Sequence, residues 1–187
     1  MGTRATSRGR PSDAEYAEFV HVSWPRLYRT AYLLVGDHGL AEDLVQTALA
    51  RTYVAWPRID DPNAASAYAR TCVTNEALTW FRKRGWKGEV VSDSTPDRAT
   101  ESPDPTTRPT ILAALRELAP RQRAVIVLRY YADASVAETA QTLGCSTGTV
   151  KSQTSDALAK LRVLLGDTVI PTTIPATADT RSLGGTE

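Results

Sequence analysis

The 187 residues divide their charge almost evenly, 22 basic against 21 acidic, which argues against a protein held to nucleic acid by bulk charge alone. Apolar content of 42% is enough for real cores in one or two small domains. Two cysteines (Cys72, Cys145) and two histidines (His21, His38), without metal-ligand spacing, make no case for a zinc site, so no metal and no cofactor are expected. No run of about 20 apolar residues and no signal peptide is present, so the chain reads as cytoplasmic, with no membrane insertion and reduced thiols.

Charge is distributed in blocks. Residues 1–87 carry 12 basic and 9 acidic residues, net +3, and residues 110–165 carry 7 and 4, also net +3. Between them, residues 88–109 hold 2 basic and 5 acidic residues and four of the 11 prolines, the composition of a flexible linker. Residues 166–187, net −2, read as a loose tail, and residues 1–11 as a disordered start.

In chain order, Ser12 and Glu15 have capping-box spacing, so a helix should start there with Tyr16, Phe19 and Val20 on its apolar face. Pro25 should interrupt it or open a second helix. Leu27, Tyr28, Ala31, Leu34 and Val35 continue the stripe, and Gly36-Asp37 is a stop followed by a cap. A helix from about His38 to Trp56 places Leu44, Ala48, Tyr53 and Trp56 on one side, with Asp43, Gln46 and Ala50 towards the other. Asp61 can cap, and Pro62 start, a helix running to about Arg84, which ends in the basic run Arg82-Lys83-Arg84. Helices are then expected over Ile111–Leu118 and Arg121–Tyr131. There is no useful strand-like alternation and no repeat. The fold class is all-α: two small helical domains, residues 12–87 and 110–165, joined by the linker.

The strongest motif lies in Ala132–Leu165. Ala140, Gly144 and Val150 have the spacing A-x3-G-x5-V, which suits two short helices packed across a tight turn. Gly144 can take the left-handed conformation that ends the first helix, and Val150 points back into the corner. This is a helix-turn-helix (winged-helix-like) unit, which offers its second helix to a DNA major groove. From about Thr147, Val150, Thr154, Ala157 and Leu161 share the inward face. Thr149, Ser152, Ser155, Asp156 and Ala159 share the outward one, with Lys151 and Gln153 at its edges.

The segment AYLLVGDHGLAEDLVQTALARTYVAW resembles the core-enzyme-binding part of bacterial sigma factors. The segment LAPRQRAVIVLRYYADASVAETAQTLGCSTGTVKS resembles their promoter-binding domain. Their order and the linker between them are similar to the extracytoplasmic-function (ECF) group of the sigma-seventy family, in particular its SigE-like actinobacterial members. The resemblance covers about residues 14–87 and 110–165. It implies sigma domain two and sigma domain four, and a protein that is no enzyme. Such a protein binds RNA polymerase core through its β′ and β subunits, selects a promoter and helps to open it. Many relatives are held by an anti-sigma factor, which makes one a further candidate partner.

Carried over residue by residue, Asp43, Leu44, Gln46 and Leu49 match the helix that docks on the polymerase β′ coiled coil. Asp61, Asn63, Arg70, Trp80, Arg82, Lys83 and Arg84 match the part that captures the minus-ten element and separates the strands, with Phe81 and Trp86 as further aromatic candidates. The same aromatics at helical spacing also suit a core, and a basic run suits a helix C-terminus by the dipole alone. Thr147, Thr149, Lys151, Ser152, Gln153, Ser155 and Asp156 match the face that reads the minus-thirty-five element in double-stranded DNA.

That face departs from the family pattern, which commonly has arginine at Gln153 and often a basic residue at Asp156. Asp156 should repel phosphates unless it accepts from a cytosine amino group or pairs with Lys160. Gln153 could read adenine. Two rivals stand beside the sigma reading: a free-standing helix-turn-helix regulator, and a sigma-like adaptor or anti-sigma-bound module with weak DNA reading. Glu42-Asp43 and Asp60-Asp61 are adjacent acids that a helix would turn about 100° apart, a poor general acid/base pair.

Overall fold

Helix α1 (Asp13–Val35) begins at the capping box. The Ser12 hydroxyl accepts from the Glu15 N–H at 3.2 Å, and the Glu15 carboxylate accepts from the Ser12 N–H at 2.7 Å. The computed structural model describes residues 12–59, 61–85 and 111–166; the expectations for residues 1–11, for the linker, for Asp60, Trp86 and Thr110, and for the tail beyond Gly166 lie outside them.

Pro25 does not interrupt α1, which runs through it without a break. Both Pro25 and His21, one turn earlier, are exposed, so the carbonyl that proline leaves unpaired is on the wet side of the helix. The buried face carries Phe19, Leu27, Thr30, Ala31 and Leu34. The helix stops at Gly36, whose φ of 72° is left-handed, and Asp37 caps α2 (His38–Ala55) by accepting from the Leu40 N–H at 2.7 Å.

Helix α2 buries Ala41, Leu44, Val45, Ala48, Leu49 and Thr52, and a 3-10 turn continues the face to Trp56. Tyr53, expected on that face, is 47% exposed. It stands about 140° from Ala48 around the helix, whereas Thr52 stands about 40° away. Its hydroxyl donates to Asp13 at 3.0 Å instead. Helix α3 (Pro62–Lys83) begins where Asp61 accepts from the Asn63 N–H at 2.9 Å. Its buried side is built of small residues, Ala65, Ala69, Cys72, Val73, Thr74 and Ala77, which let α1 and α2 approach closely.

In the second unit, α4 (Ile111–Arg116) is shorter than expected, and the helix expected over Arg121–Tyr131 is divided. Helix α5 (Pro120–Ile126) gives way to a π turn at Val127–Tyr131, where the Ala132 N–H reaches back five residues to the Val127 carbonyl. Helices α6 (Val136–Leu143) and α7 (Thr147–Leu165) follow. The described residues contain no strand.

The two helical units share part of their interior, although Ala114, Leu115, Leu118, Ile126, Ala157 and Leu161 of the second form a buried cluster of their own. Leu34, Val45 and Val73 of the first belong to one continuous buried cluster with Val125, Leu128, Leu143 and Val150 of the second. Helix α3 packs on α6, and α1 packs on α4 and α5. Periodicity shows which face of a helix is buried but not which helix covers it, so the joining of the two units is a tertiary result.

Candidate nucleic-acid interface and docking helix

The helix-turn-helix is assembled by local rules. Ser135 and Glu138 form a second capping box, with the Ser135 N–H donating to Glu138 at 2.7 Å and the Glu138 N–H donating to Ser135 at 3.1 Å. The Ser135 N–H, and next the Ser135 hydroxyl, hold the Glu138 carboxyl below its ordinary pKa range. Helix α6 ends at Gly144 with φ 59°, and a Cβ there would meet nothing within 4 Å. Glycine is therefore needed at this position for its conformation, not for space. Ser146 caps α7 by accepting from the Thr149 N–H at 3.1 Å. Ala140 and Val150 are buried at the corner, as the spacing requires.

On α7, Val150, Ala157 and Leu161 are buried, and Thr154 turns its hydroxyl back to the Val150 carbonyl at 2.7 Å. Thr147, Thr149, Lys151, Ser152, Ser155 and Asp156 are exposed and Gln153 is half-buried. The outward face therefore carries one cation and one anion. Lys160 does not pair with Asp156; its ammonium donates to the Glu117 carbonyl. The Ser152 hydroxyl donates to the Thr149 carbonyl at 3.1 Å, and the Thr149 hydroxyl lies 2.9 Å from that of Ser146.

The residues assigned to strand separation are spread along α3. Asp61 and Asn63 are exposed at its start, where the Asp61 carboxylate is engaged as the cap. Arg82, Lys83 and Arg84 are exposed at its end. Trp80 and Phe81 meet edge-to-face with centroids 5.0 Å apart. The Arg84 guanidinium lies 4.9 Å above the Trp80 ring, and that of Arg123, from the other unit, 5.3 Å above the Phe81 ring. Arg70 is half-buried and donates to the Ala132 carbonyl at 2.8 Å. Helix α3 thus brings the cap residues to one end and the cations with the aromatic pair to the other, and it spends Arg70 on the second unit.

On α2, Asp43 and Gln46 are exposed, but Leu44 and Leu49 turn into the core, each only 6% exposed. They shape the helix from beneath and do not project as apolar knobs. The outward strip is Asp43, Gln46, Thr47, Ala50 and Val54, the last 79% exposed. The apolar residue on it, Val54, was missed; the 100° rotation that places Asp43 outward also places Val54 there. Arg116 and Arg123, which donate to the Gly36 and Leu34 carbonyls at the end of α1, were missed as well. The one available signal was Arg123 set against the apolar run Ala124–Leu128.

Residues 21–87 match the family Sigma-70 region 2, and residues 114–163 match Sigma-70, region 4. The chain is 43% identical over 151 residues to the RNA polymerase sigma-E factor of Streptomyces coelicolor, covering 79% of this chain and 84% of that one. The chain belongs to the sigma-70 family. Within it, the chain falls in the ECF group: it is 35% identical to the ECF RNA polymerase sigma factor SigL of Mycobacterium tuberculosis, over 81% of this chain and 87% of the relative. Among solved structures, it is similar to the sigma factor RpoE in complex with the anti-sigma factor NepR from Bartonella quintana, with a TM-score of 0.62, 27% identity and coverage of 81% of this chain and 96% of the other. Sigma-70 region 2 contains the outward strip of α2 and the capped and basic ends of α3, and region 4 contains the helix-turn-helix.

Proposed function

We propose that this ECF-group protein binds core RNA polymerase, directs it to a promoter and helps to open the DNA, acting in the cytoplasm and catalysing no reaction itself. The observation that carries the reading is the presence in one chain of two accessible helix faces of different chemistry. The α2 strip is mixed polar and apolar, suited to a helix partner such as the polymerase β′ coiled coil. The outward face of α7 is lined with hydroxyls, Lys151 and Asp156 at the end of the helix that a helix-turn-helix presents to base edges. Residues 12–87 act as sigma domain two and 110–165 as sigma domain four, with residues 88–109 as the connecting linker.

In this reading Asp43 and Gln46 set the register on β′, Asn63 contacts an unpaired base, and Arg82, Lys83 and Arg84 meet the phosphates of the non-template strand. Trp80 supplies a stacking surface there. Thr147, Thr149, Lys151, Ser152, Gln153 and Ser155 face the minus-thirty-five element, which region 4 binds weakly on its own because Asp156 is exposed there with no ion pair among the described residues. That observation also supports a second reading, an adaptor that binds polymerase, or an anti-sigma factor, without reading DNA well. Run-off transcription with core polymerase separates them. Promoter-specific transcripts are expected; a stable complex that yields none would leave the adaptor.

A further inference from the structure

The positive charge of the first unit is not where its fold is. Residues 12–87 carry nine basic and nine acidic residues, so that stretch is neutral. The net +3 of residues 1–87 lies entirely in residues 1–11, which hold Arg4, Arg8 and Arg10 and no acidic residue. The fold fixes where that segment joins the rest. Tyr53, near the end of α2, donates its hydroxyl to Asp13 in the first turn of α1 at 3.0 Å, and the Tyr16 hydroxyl donates to the Leu49 carbonyl at 2.7 Å. The Tyr16 ring meets that of Trp56 edge-on, with centroids 5.2 Å apart. Trp56 opens the 3-10 turn that leads to Asp61 and Asn63. The start of α1 therefore stands at the capped end of α3, not at its basic end. Helix α3 has 22 residues, so its two ends are about 33 Å apart.

We propose that residues 1–11 are a basic arm for promoter DNA, whose Arg4, Arg8 and Arg10 meet phosphates around the capped end of α3, beside the base that Asn63 contacts. That end is short of cations. Asn63 can hydrogen-bond a base edge, but most of the affinity for DNA comes from neutralising phosphates. Among the described residues, the cations nearest to Asn63 in sequence are Arg58, Arg70 and Arg51. Arg51 is paired with Glu76 at 2.6 Å and Arg70 donates to the Ala132 carbonyl, which leaves Arg58. Against it stand the exposed acids Asp61, Asp13 and Glu15. The acids of α1 do not use up the arm. The Asp13 carboxylate accepts from Tyr53 and that of Glu15 from the Ser12 N–H, and both lie at the positive end of the α1 dipole. Eleven residues reach at most about 36 Å, or about ten base pairs of duplex. That the DNA is a promoter rests on the function proposed above; the place of the arm's root does not.

The test uses the full chain bound to core polymerase. Each phosphate contact contributes about 0.7–0.9 to the slope of log K against log salt. Arg4→Gln, Arg8→Gln and Arg10→Gln together should therefore lower that slope for promoter DNA by about 2–3 and weaken binding about tenfold at physiological salt, with affinity for core polymerase unchanged. Arg4→Lys, Arg8→Lys and Arg10→Lys together should keep the wild-type slope, because a phosphate is met by a lysine charge as well. An iron chelate attached through Ser7→Cys, in a chain with Cys72→Ala and Cys145→Ser, should cut the DNA backbone within about ten base pairs of the minus-ten element. An unchanged slope in the glutamine variant, an equal loss of slope in the lysine variant, or cuts elsewhere would each overturn the arm. Loss of affinity for core polymerase in place of DNA would assign residues 1–11 to the polymerase and overturn it as well. If the wild-type holoenzyme gives no promoter-specific transcript, yet the free chain binds duplex DNA with a slope that the glutamine variant lowers, the arm stands and the transcriptional reading falls.

Discussion

Asp156 lies on the face of α7 proposed to meet DNA, where a cation would favour binding. It is exposed on the outward face of α7, and no ion pair neutralises it among the described residues. Replacing it by arginine removes one repulsion and adds one phosphate partner. Asp156→Arg should therefore raise promoter affinity several-fold and steepen the dependence of log K on log salt by about 0.9. A salt titration by fluorescence anisotropy checks both, and no change in either would mean that position 156 does not face the duplex. The rotation of α7 was legible in the sequence because Val150, Ala157 and Leu161 recur at helical spacing and are indeed buried. The partner of Lys160 was not legible. Four-residue spacing offered Asp156, but the ammonium goes to the Glu117 carbonyl, 43 residues away in sequence.

At the scale of an element, α6 depends on its cap. The Glu138 carboxyl is held low first by the backbone N–H of Ser135 and next by the Ser135 hydroxyl, against a smaller opposing effect of burial. Its folded pKa lies below the unfolded one, so its contribution is complete above the ordinary glutamate value of about 4.3 and is lost as the pH falls through the folded value. Wild-type protein should lose more stability on acidification below about pH 4.5 than Glu138→Gln does, measured by urea denaturation at several pH values. Helix α2 invites a different test. Val54→Asp changes a side chain that is 79% exposed, so folding stability should move by no more than about 0.5 kcal/mol. If the outward strip docks on polymerase, affinity for core should fall about tenfold in a pull-down or anisotropy titration. Caps, stops and helix faces were readable in advance because they depend on neighbours three or four residues away. The continuous path of α1 through Pro25 and the π turn at Val127–Tyr131 were not, because each depends on which side of the helix meets solvent or another helix.

For the molecule as a whole, composition pointed to two helical units, but not that they would share part of an interior. Leu34, Val73, Leu128 and Leu143 lie in one cluster although they come from both regions. Regions 2 and 4 should accordingly unfold in a single calorimetric transition in the free chain, and Arg116→Glu should split or broaden it. Two separate transitions in the wild type would show that the interiors are independent.

The hydrogen bond from Arg123 to Leu34 spans 89 residues of sequence, and that span is also an interval of time. A ribosome adds about 5–20 residues per second, so the residues that close over α1 appear roughly 4–18 s after the carbonyls they cover. Through that interval the first three helices exist without their counterpart. The newborn chain thus leaves the end of α1 that Arg123 covers open to water for seconds before its cover is made.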